Sequence, residues 1–201
     1  MTLSIRTAAS SDADAVSRIC LLTGDAGKSA QHLHDFPELP GFRFAVPYVN
    51  GELPGTWGFV LVDEDKNEVV GYIVGAKDTL AYERYAEAHW WPMLAERYPP
   101  SRAEKSADER YMEFFRNPQH TPEASLALAS AHMHINILAP YQRQGWGRKL
   151  VETAVAYLKA HGTRSVGLGL DARNLDARKF YERLGFTVVE GTAGDRMNLK
   201  F

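Results

Sequence analysis

Hydrophobic positions change period several times along the chain, and each change marks an element. Residues 3–7 predict a short strand, after which Ser10, Ser11 and Asp12 offer capping oxygens to a helix whose apolar residues Ala15, Val16, Ile19 and Leu22 recur at helical spacing. Residues 24–56 show neither period and are rich in Gly, Pro and His with an Asn50-Gly51 turn signal, so they predict a long loop or a pair of irregular short elements. Loops of that length are commonly functional. Residues 57–62 and 69–75, separated by a polar segment, predict an antiparallel hairpin.

From about residue 78 to 129 the period becomes helical. Tyr82, Tyr85, His89 and Met93 follow three- and four-residue steps, Pro92 starts a new turn or kinks the old one, and Pro99-Pro100 ends the unit. Ser106-Ala107-Asp108-Glu109 has the form of a capping box, opening a helix with Tyr111, Phe114 and Phe115 that stops at Asn117-Pro118. Thr121-Pro122-Glu123 predicts a third start, with threonine as cap and proline in the first turn. These helices form an insertion between the third and fourth strands. The adjacent Trp90 and Trp91 lie on different helix faces and either pack the insertion onto the core or wall a pocket.

The last third is the most regular. Residues 132–138 predict a strand, 145–160 an amphipathic helix closed by Gly162, 165–170 a strand, 174–184 a helix closed by Gly185, and 187–190 and 196–201 two further strands. The pattern specifies one α/β (α+β) domain over residues 1–201, with a mixed central β-sheet flanked by helices and a ligand-binding core at about 130–190. The strand at 196–201 is expected at a sheet edge, where it offers itself to a second chain, so a monomer and a homodimer both stay open.

Composition narrows the partners without naming a chemistry. The chain has 201 residues, 45% of them hydrophobic, enough to bury a core. Lys plus Arg number 23 against 25 Asp plus Glu, a formal charge of −2, which lacks the basic excess of a nucleic-acid binder. Cys20 stands alone, so neither an intrachain disulfide nor a thiolate-rich zinc site is expected, and a reducing cytoplasm fits. No apolar run is long enough to cross a bilayer, and the first twenty residues lack a signal-peptide pattern. The expectation is a cytoplasmic protein with no nucleic-acid or membrane partner.

Chemistry concentrates at residues 138–149, Leu-Ala-Pro-Tyr-Gln-Arg-Gln-Gly-Trp-Gly-Arg-Lys, a glycine-bearing turn that leaves a strand and enters a helix. Glycines let backbone approach a ligand, the first amides of a helix bind phosphate oxygens, and Arg143, Arg148 and Lys149 add positive charge at the same end. Residues 24–29, Gly-Asp-Ala-Gly-Lys-Ser, end like a P-loop but lack its glycine spacing and follow a helix, so no nucleoside triphosphate is expected there. His32 with His34, and His132 with His134, are spaced like metal pairs, yet no third ligand stands at fixed spacing, and no metal is expected.

Downstream, residues 174–186 carry an asparagine N-cap, apolar residues at Ala177, Phe180, Tyr181 and Leu184, and a glycine C-cap followed by Phe186. Together, Gln142-x-x-Gly145-x-Gly147 and Asn174-x-x-Ala177-x-x-Phe180-Tyr181-x-x-x-Gly185-Phe186 resemble the acetyl-CoA-binding core of the GNAT acyltransferase superfamily. The insertion, with Trp90-Trp91-Pro92-Met93, Glu96, Tyr98 and residues 106–115, is similar to the acetyltransferase-like C-terminal domain of O-GlcNAcase and its bacterial relatives.

The resemblance implies acetyl-CoA as cosubstrate and an amine, small molecule or protein lysine, as acceptor. It places the pyrophosphate on Gln142, Arg143, Gln144, Gly145, Trp146, Gly147, Arg148 and Lys149, and the cofactor beside Ile137, Leu138 and Ala139, with the backbone amides near Ile137 and Leu138 polarising the thioester carbonyl. Asn174, Ala177, Phe180 and Tyr181 would contact the cofactor from the second motif. Tyr181 would also protonate the departing thiolate, or else is simply a core aromatic. His132, His134 and Asn136 alternate onto one face of their strand, with the histidines roughly 6.6 Å apart. They are the candidate base and its relay, near the pH where imidazole titrates, while Asn136 alternatively orients substrate. Cys20, remote from both motifs, reads as packing, which favours direct transfer over a cysteine-bound acyl group. A non-catalytic module of the same fold, sensing acyl-CoA or binding a protein, is the alternative.

Overall fold

The computed structural model describes residues 2–193 and 195–201. The chain opens with β1 (Leu3–Thr7), a 3-10 turn at Ser10–Asp12 and α1 (Ala13–Thr23). None of Ser10, Ser11 and Asp12 caps α1 through its side chain. The Asp12 carboxylate instead accepts from Arg6 at 2.7 and 2.8 Å and from the Ala9 amide at 2.8 Å, bracing the strand-to-helix corner.

The segment 24–56 holds α2 (Leu39–Phe44) between 3-10 turns at Gln31–Leu33 and Val46–Tyr48. It is packed rather than loose, because Leu39, Ala45, Tyr48 and Val49 are buried. At Gly41 a side chain has no room: an ideal Cβ would lie 2.0 Å from Ser17 Oγ, so glycine lets α2 rest directly on α1.

β2 (Thr56–Asp63) and β3 (Glu68–Ala76) form the expected hairpin, with a register shift between Leu61 and Val62. The insertion then runs through α3 (Thr79–Tyr85), a π-helical turn (Ala86–Trp90) and α4 (Trp91–Arg97). Proline lacks an N–H and crowds the preceding turn, and the wider π turn ends at Trp90, two residues before Pro92. Asp78 caps this unit by accepting from the Ala81 amide at 3.0 Å.

α5 (Ser106–Arg116) and α6 (Glu123–Leu126) complete the insertion, but neither start follows the sequence expectation. Ser106 is already helical and Lys105 takes the cap position; the Glu109 amide donates to the Lys105 carbonyl, leaving the serine hydroxyl no capping task. Thr121 likewise does not cap α6, because its amide and hydroxyl both donate to Glu83 Oε1, at 2.9 and 2.6 Å.

The remaining elements are β4 (Ala131–Ile137), α7 (Trp146–Ala160), β5 (Ser165–Gly169), α8 (Leu175–Arg183), β6 (Thr187–Val188) and β7 (Arg196–Lys200). They complete a mixed seven-stranded sheet in the order β1-β2-β3-β4-β5-β7-β6. β7 is not the expected edge: it pairs with β5 along its length and with β6 at Met197 and Asn198. One core packs α1, α2 and the insertion on one sheet face, and the other packs α7 and α8 on the opposite face. Trp90 and Trp91 are both buried in the first core, with Trp90 Nε1 donating to the Phe42 carbonyl at 3.1 Å.

Candidate functional site

The strands that pair in parallel, β4 and β5, meet only at Ala131–Val166 and His132–Gly167, then part. On its other side β4 stays zipped to β3 as far as Gly71–Ile137. The Leu138 amide donates to the Val70 carbonyl at 2.9 Å. Backbone groups alternate sides along an antiparallel strand, so the N–H groups of Ile135 and Ile137 point into the gap left by β5. Of the two amides expected to face a ligand, that of Leu138 is therefore committed to β3 and that of Ile137 is directed at the split. The Ile137 carbonyl accepts from Gln142 Nε2 at 2.7 Å, tying the turn to the end of β4.

The turn itself runs through a 3-10 segment, Ala139–Tyr141, anchored by Tyr141 Oη donating to Asp63 at 2.8 Å. Arg143 (φ 60°) and Gly145 (φ 85°) adopt left-handed backbone, and α7 starts at Trp146 with no side-chain cap. Its first helical hydrogen bond is that of the Lys149 amide to the Gly145 carbonyl, so the amides of Trp146, Gly147 and Arg148 have no acceptor within the helix. Gln144 Nε2 donates to the Pro140 carbonyl at 2.9 Å, Lys149 lies over the Trp146 ring, and Arg148 and Arg143 face Glu152 and Asp176 in exposed pairs. Asn174 caps α8 by accepting from the Ala177 amide at 3.0 Å, as its motif predicts.

On the opposite face of β4, His132 and His134 line a cavity of about 130 Å³ that extends under the insertion and opens to solvent. Tyr48 Oη joins them, 2.9 Å from His132 Nε2 and 3.2 Å from His134 Nε2, while Thr79 Oγ1 sits 2.9 Å from His132 Nδ1. The histidines are thus bridged by a protein hydroxyl. Burial, reinforced by the charge of Arg196, holds the His132 pKa down to about 4. His134 is pushed well below the ordinary histidine value by burial, then by His132, Arg43 and Arg196. Both rings are neutral at pH 7, not poised at their unperturbed pKa. Asn136 donates to Tyr72 Oη at 2.7 Å, so its amide nitrogen serves that tyrosine.

Tyr181 is buried against Phe180 and Phe186, and burial raises its pKa, keeping the phenol protonated. Cys20 is buried and its thiol is pushed up to about 12 by burial, despite a hydrogen bond with Tyr72, which makes it a packing residue. The P-loop-like segment forms a small turn in which Asp25 bridges Lys28 and accepts from Arg173 at 2.9 Å. His34 turns inward to Asp108 at 2.6 Å while His32 is exposed, so that histidine pair is separated. Among the described residues no three His, Cys, Asp or Glu side chains are grouped to hold a metal, and no helix is long and apolar enough to cross a membrane.

Tyr48, Thr79, Arg43 and Arg196 carried no sequence motif. The only available signal was the two-residue alternation of Arg196 and Asn198 about buried Met197.

A mixed sheet that parts beside an uncapped helix entrance has the architecture of GNAT-type acyltransferases. The chain belongs to the acetyltransferase (GNAT) family, whose model matches residues 30–186. It is similar to mycothiol acetyltransferase of Corynebacterium glutamicum, with 38% identity over 72 residues, 36% of this chain and 23% of that protein. It is also similar to protein O-GlcNAcase of Rattus norvegicus, with 27% identity over 154 residues, 74% of this chain and 16% of that protein. The chain thus spans less than a quarter of the length of either curated relative. Among solved structures, that of SsHAT matches with a TM-score of 0.81 and 31% identity over 98% of this chain and 96% of that one. PaiA N-acetyltransferase from Thermoplasma acidophilum, solved with coenzyme A, shares the fold at a TM-score of 0.57 and 13% identity, with full coverage of both chains.

Proposed function

We propose that this protein transfers an acetyl group from acetyl-CoA directly to an amine. The observation that supports this reading is the β4–β5 split, into which the Ile137 amide is directed, in the same chain segment as the uncapped start of α7. The residues present fit the cosubstrate: the amides of Trp146, Gly147 and Arg148 suit a diphosphate, and Gly145 leaves open space beside them while Gly147 makes room for Phe180. Acetyl-CoA supplies an activated acyl carbonyl.

Ile137 N–H donates to the thioester carbonyl oxygen as negative charge builds there; loss of such a donor costs about 10²–10³ in rate. His134, neutral and linked through Tyr48 to His132 and Thr79, accepts a proton from the attacking nitrogen and passes it along that chain. A C–N bond forms as the C–S bond breaks. Tyr181, held protonated, gives its proton to the departing sulfur. Cys20, buried and protonated, takes no part.

The test combines melting temperature with thiol release. Acetyl-CoA at a hundred times its Kd adds about 2.7 kcal/mol of stability. An unchanged melting temperature at millimolar acetyl-CoA overturns the reading. Stabilisation without free CoA across a broad amine panel instead identifies a binding module.

A further inference from the structure

The cavity beneath His132 and His134 is lined by β5 through two glycines, Gly167 and Gly169. His132 stands abreast of Gly167 in the β4–β5 register, and Gly167 and Gly169 stand abreast of Asn198 and Arg196 on β7. Continuing that register by two residues brings His134 level with Gly169, where β4 and β5 have parted. Arg196 fills the space over Gly169: an ideal Cβ there would lie 3.4 Å from Nη1 and 3.5 Å from Cζ of the guanidinium. The glycine therefore lets Arg196 lie across β5 toward the histidine face of the split.

A second guanidinium reaches the same cavity from α2. Arg43 sits 3.7 Å from the centre of the Phe114 ring and 4.7 Å from that of Phe44, whose own ring lies 5.3 Å from His134. Aromatic faces hold this cation without an anion. Among the described residues neither Arg43 nor Arg196 pairs with a carboxylate, although burial lowers the Arg43 pKa and the charge of Arg196 adds to that shift. The carboxylates of the cavity, Glu83 and Glu87, pair with neither arginine, and Glu83 Oε2 is buried without a hydrogen-bond partner among the described residues. Glu83 accepts from Thr121 and lies beside His120, and Glu87 faces His120 at 3.2 Å. The cavity thus holds two guanidinium groups without carboxylate partners beside two neutral imidazoles, while its two carboxylates lie toward His120 and Thr121, so an oxyanion entering on the histidine side would meet donors rather than acids.

We propose that the acceptor is a small primary amine bearing an oxyanion, carboxylate or phosphate, which Arg43 and Arg196 hold while its nitrogen faces His134 and the split. This deepens the acetyl-transfer reading and rests on it.

The experiment needs no variant in its first arm. CoA thiol release from acetyl-CoA is measured for 4-aminobutanoate against butylamine and for O-phosphoethanolamine against ethanolamine. In at least one pair the anionic member is expected to exceed its neutral partner about tenfold or more in kcat/KM, and the favoured pair distinguishes carboxylate from phosphate. Arg196→Met and Arg43→Met each bring that ratio toward one, chiefly through KM of the anionic amine. Arg196→Lys, which keeps the charge but loses the fork, gives an intermediate ratio and serves if the methionine variants fail to fold. Equal or better use of the neutral amine in both pairs overturns the proposal, as does a ratio that survives these substitutions. Melting temperature with CoA present supplies an independent readout: stabilisation by 4-aminobutanoate or O-phosphoethanolamine but not by butylamine supports the proposal even without turnover, and no stabilisation by either, with no turnover, overturns it. Loss of the acetyl-CoA shift itself marks failure of the transfer reading instead.

Discussion

The ring of Phe180 occupies the space in front of Gly147, where an ideal Cβ would stand 3.1 Å from Cζ and 3.3 Å from Cε2. The glycine turn and the α8 motif are therefore one packed unit. Gly147→Ala is expected to push the ring away and weaken acetyl-CoA binding, and a bulkier residue should weaken it further. Gly145 differs, with open space around its missing side chain but φ at 85°. There the cost of alanine is backbone strain, about 1 kcal/mol, and asparagine recovers part of it because it tolerates the left-handed region. Calorimetry and acetyl-CoA titration of Gly145→Ala, Gly145→Asn and Gly147→Ala separate the two causes.

Tyr48→Phe removes the hydroxyl between His132 and His134 and keeps the ring that stacks on Tyr82 at 4.9 Å. Turnover is expected to fall by about tenfold to a hundredfold while KM for acetyl-CoA holds. Unchanged kcat in steady-state assays removes the relay from the mechanism.

Tyr181→Phe provides a clean test of the proton donor. The Tyr181 hydroxyl makes no hydrogen bond among the described residues, so melting temperature should scarcely move. A large loss of kcat at constant acetyl-CoA affinity then reports chemistry; retained turnover identifies a core aromatic.

Stability should depend on pH through His132, whose pKa is about 4 in the folded protein against an ordinary 6.5. Between those values the unfolded chain binds more protons, so stability rises with pH across this window and is lost as pH falls through it. Denaturant unfolding from pH 4 to 7 checks the slope, which His132→Gln is expected to flatten. The rate should show no break at pH 6.5 from these histidines and should follow ionisation of the amine instead.

The pair His34–Asp108 is buried on both sides at 2.6 Å, and Asp108 also accepts from the Asp35 amide at 2.8 Å. Asp108→Ala leaves a histidine and an amide without their partner and is expected to cost about 3–5 kcal/mol. Chemical denaturation measures it, and proteolysis at residues 30–38 should accelerate.

The regular last third was legible because its signals are local: period, caps and glycines determine α7, β5 and α8 within short windows. The histidine face of β4 followed from two-residue alternation. Residues 24–56 resisted because Leu39, Ala45 and Tyr48 owe their burial to α1 and the insertion, and prolines and glycines interrupt any period. The relay was illegible for the same reason. Tyr48 is 84 positions from His132, and Thr79 is 53, so only tertiary packing brings their oxygens to one ring. Capping was misread at Ser106 and Thr121 because Lys105 backbone and Glu83 compete for the same groups.

The short β4–β5 ladder leaves the sheet with two borders inside it as well as two outside. A strand border without a neighbour invites any extended chain with amides of its own. Coenzyme A has a pantetheine arm with two amides, so a cosubstrate bound at the split would act as the missing length of strand. On that footing the cosubstrate becomes a temporary part of the sheet, and slowed hydrogen exchange at Ile135 and Ile137 on binding would record its addition.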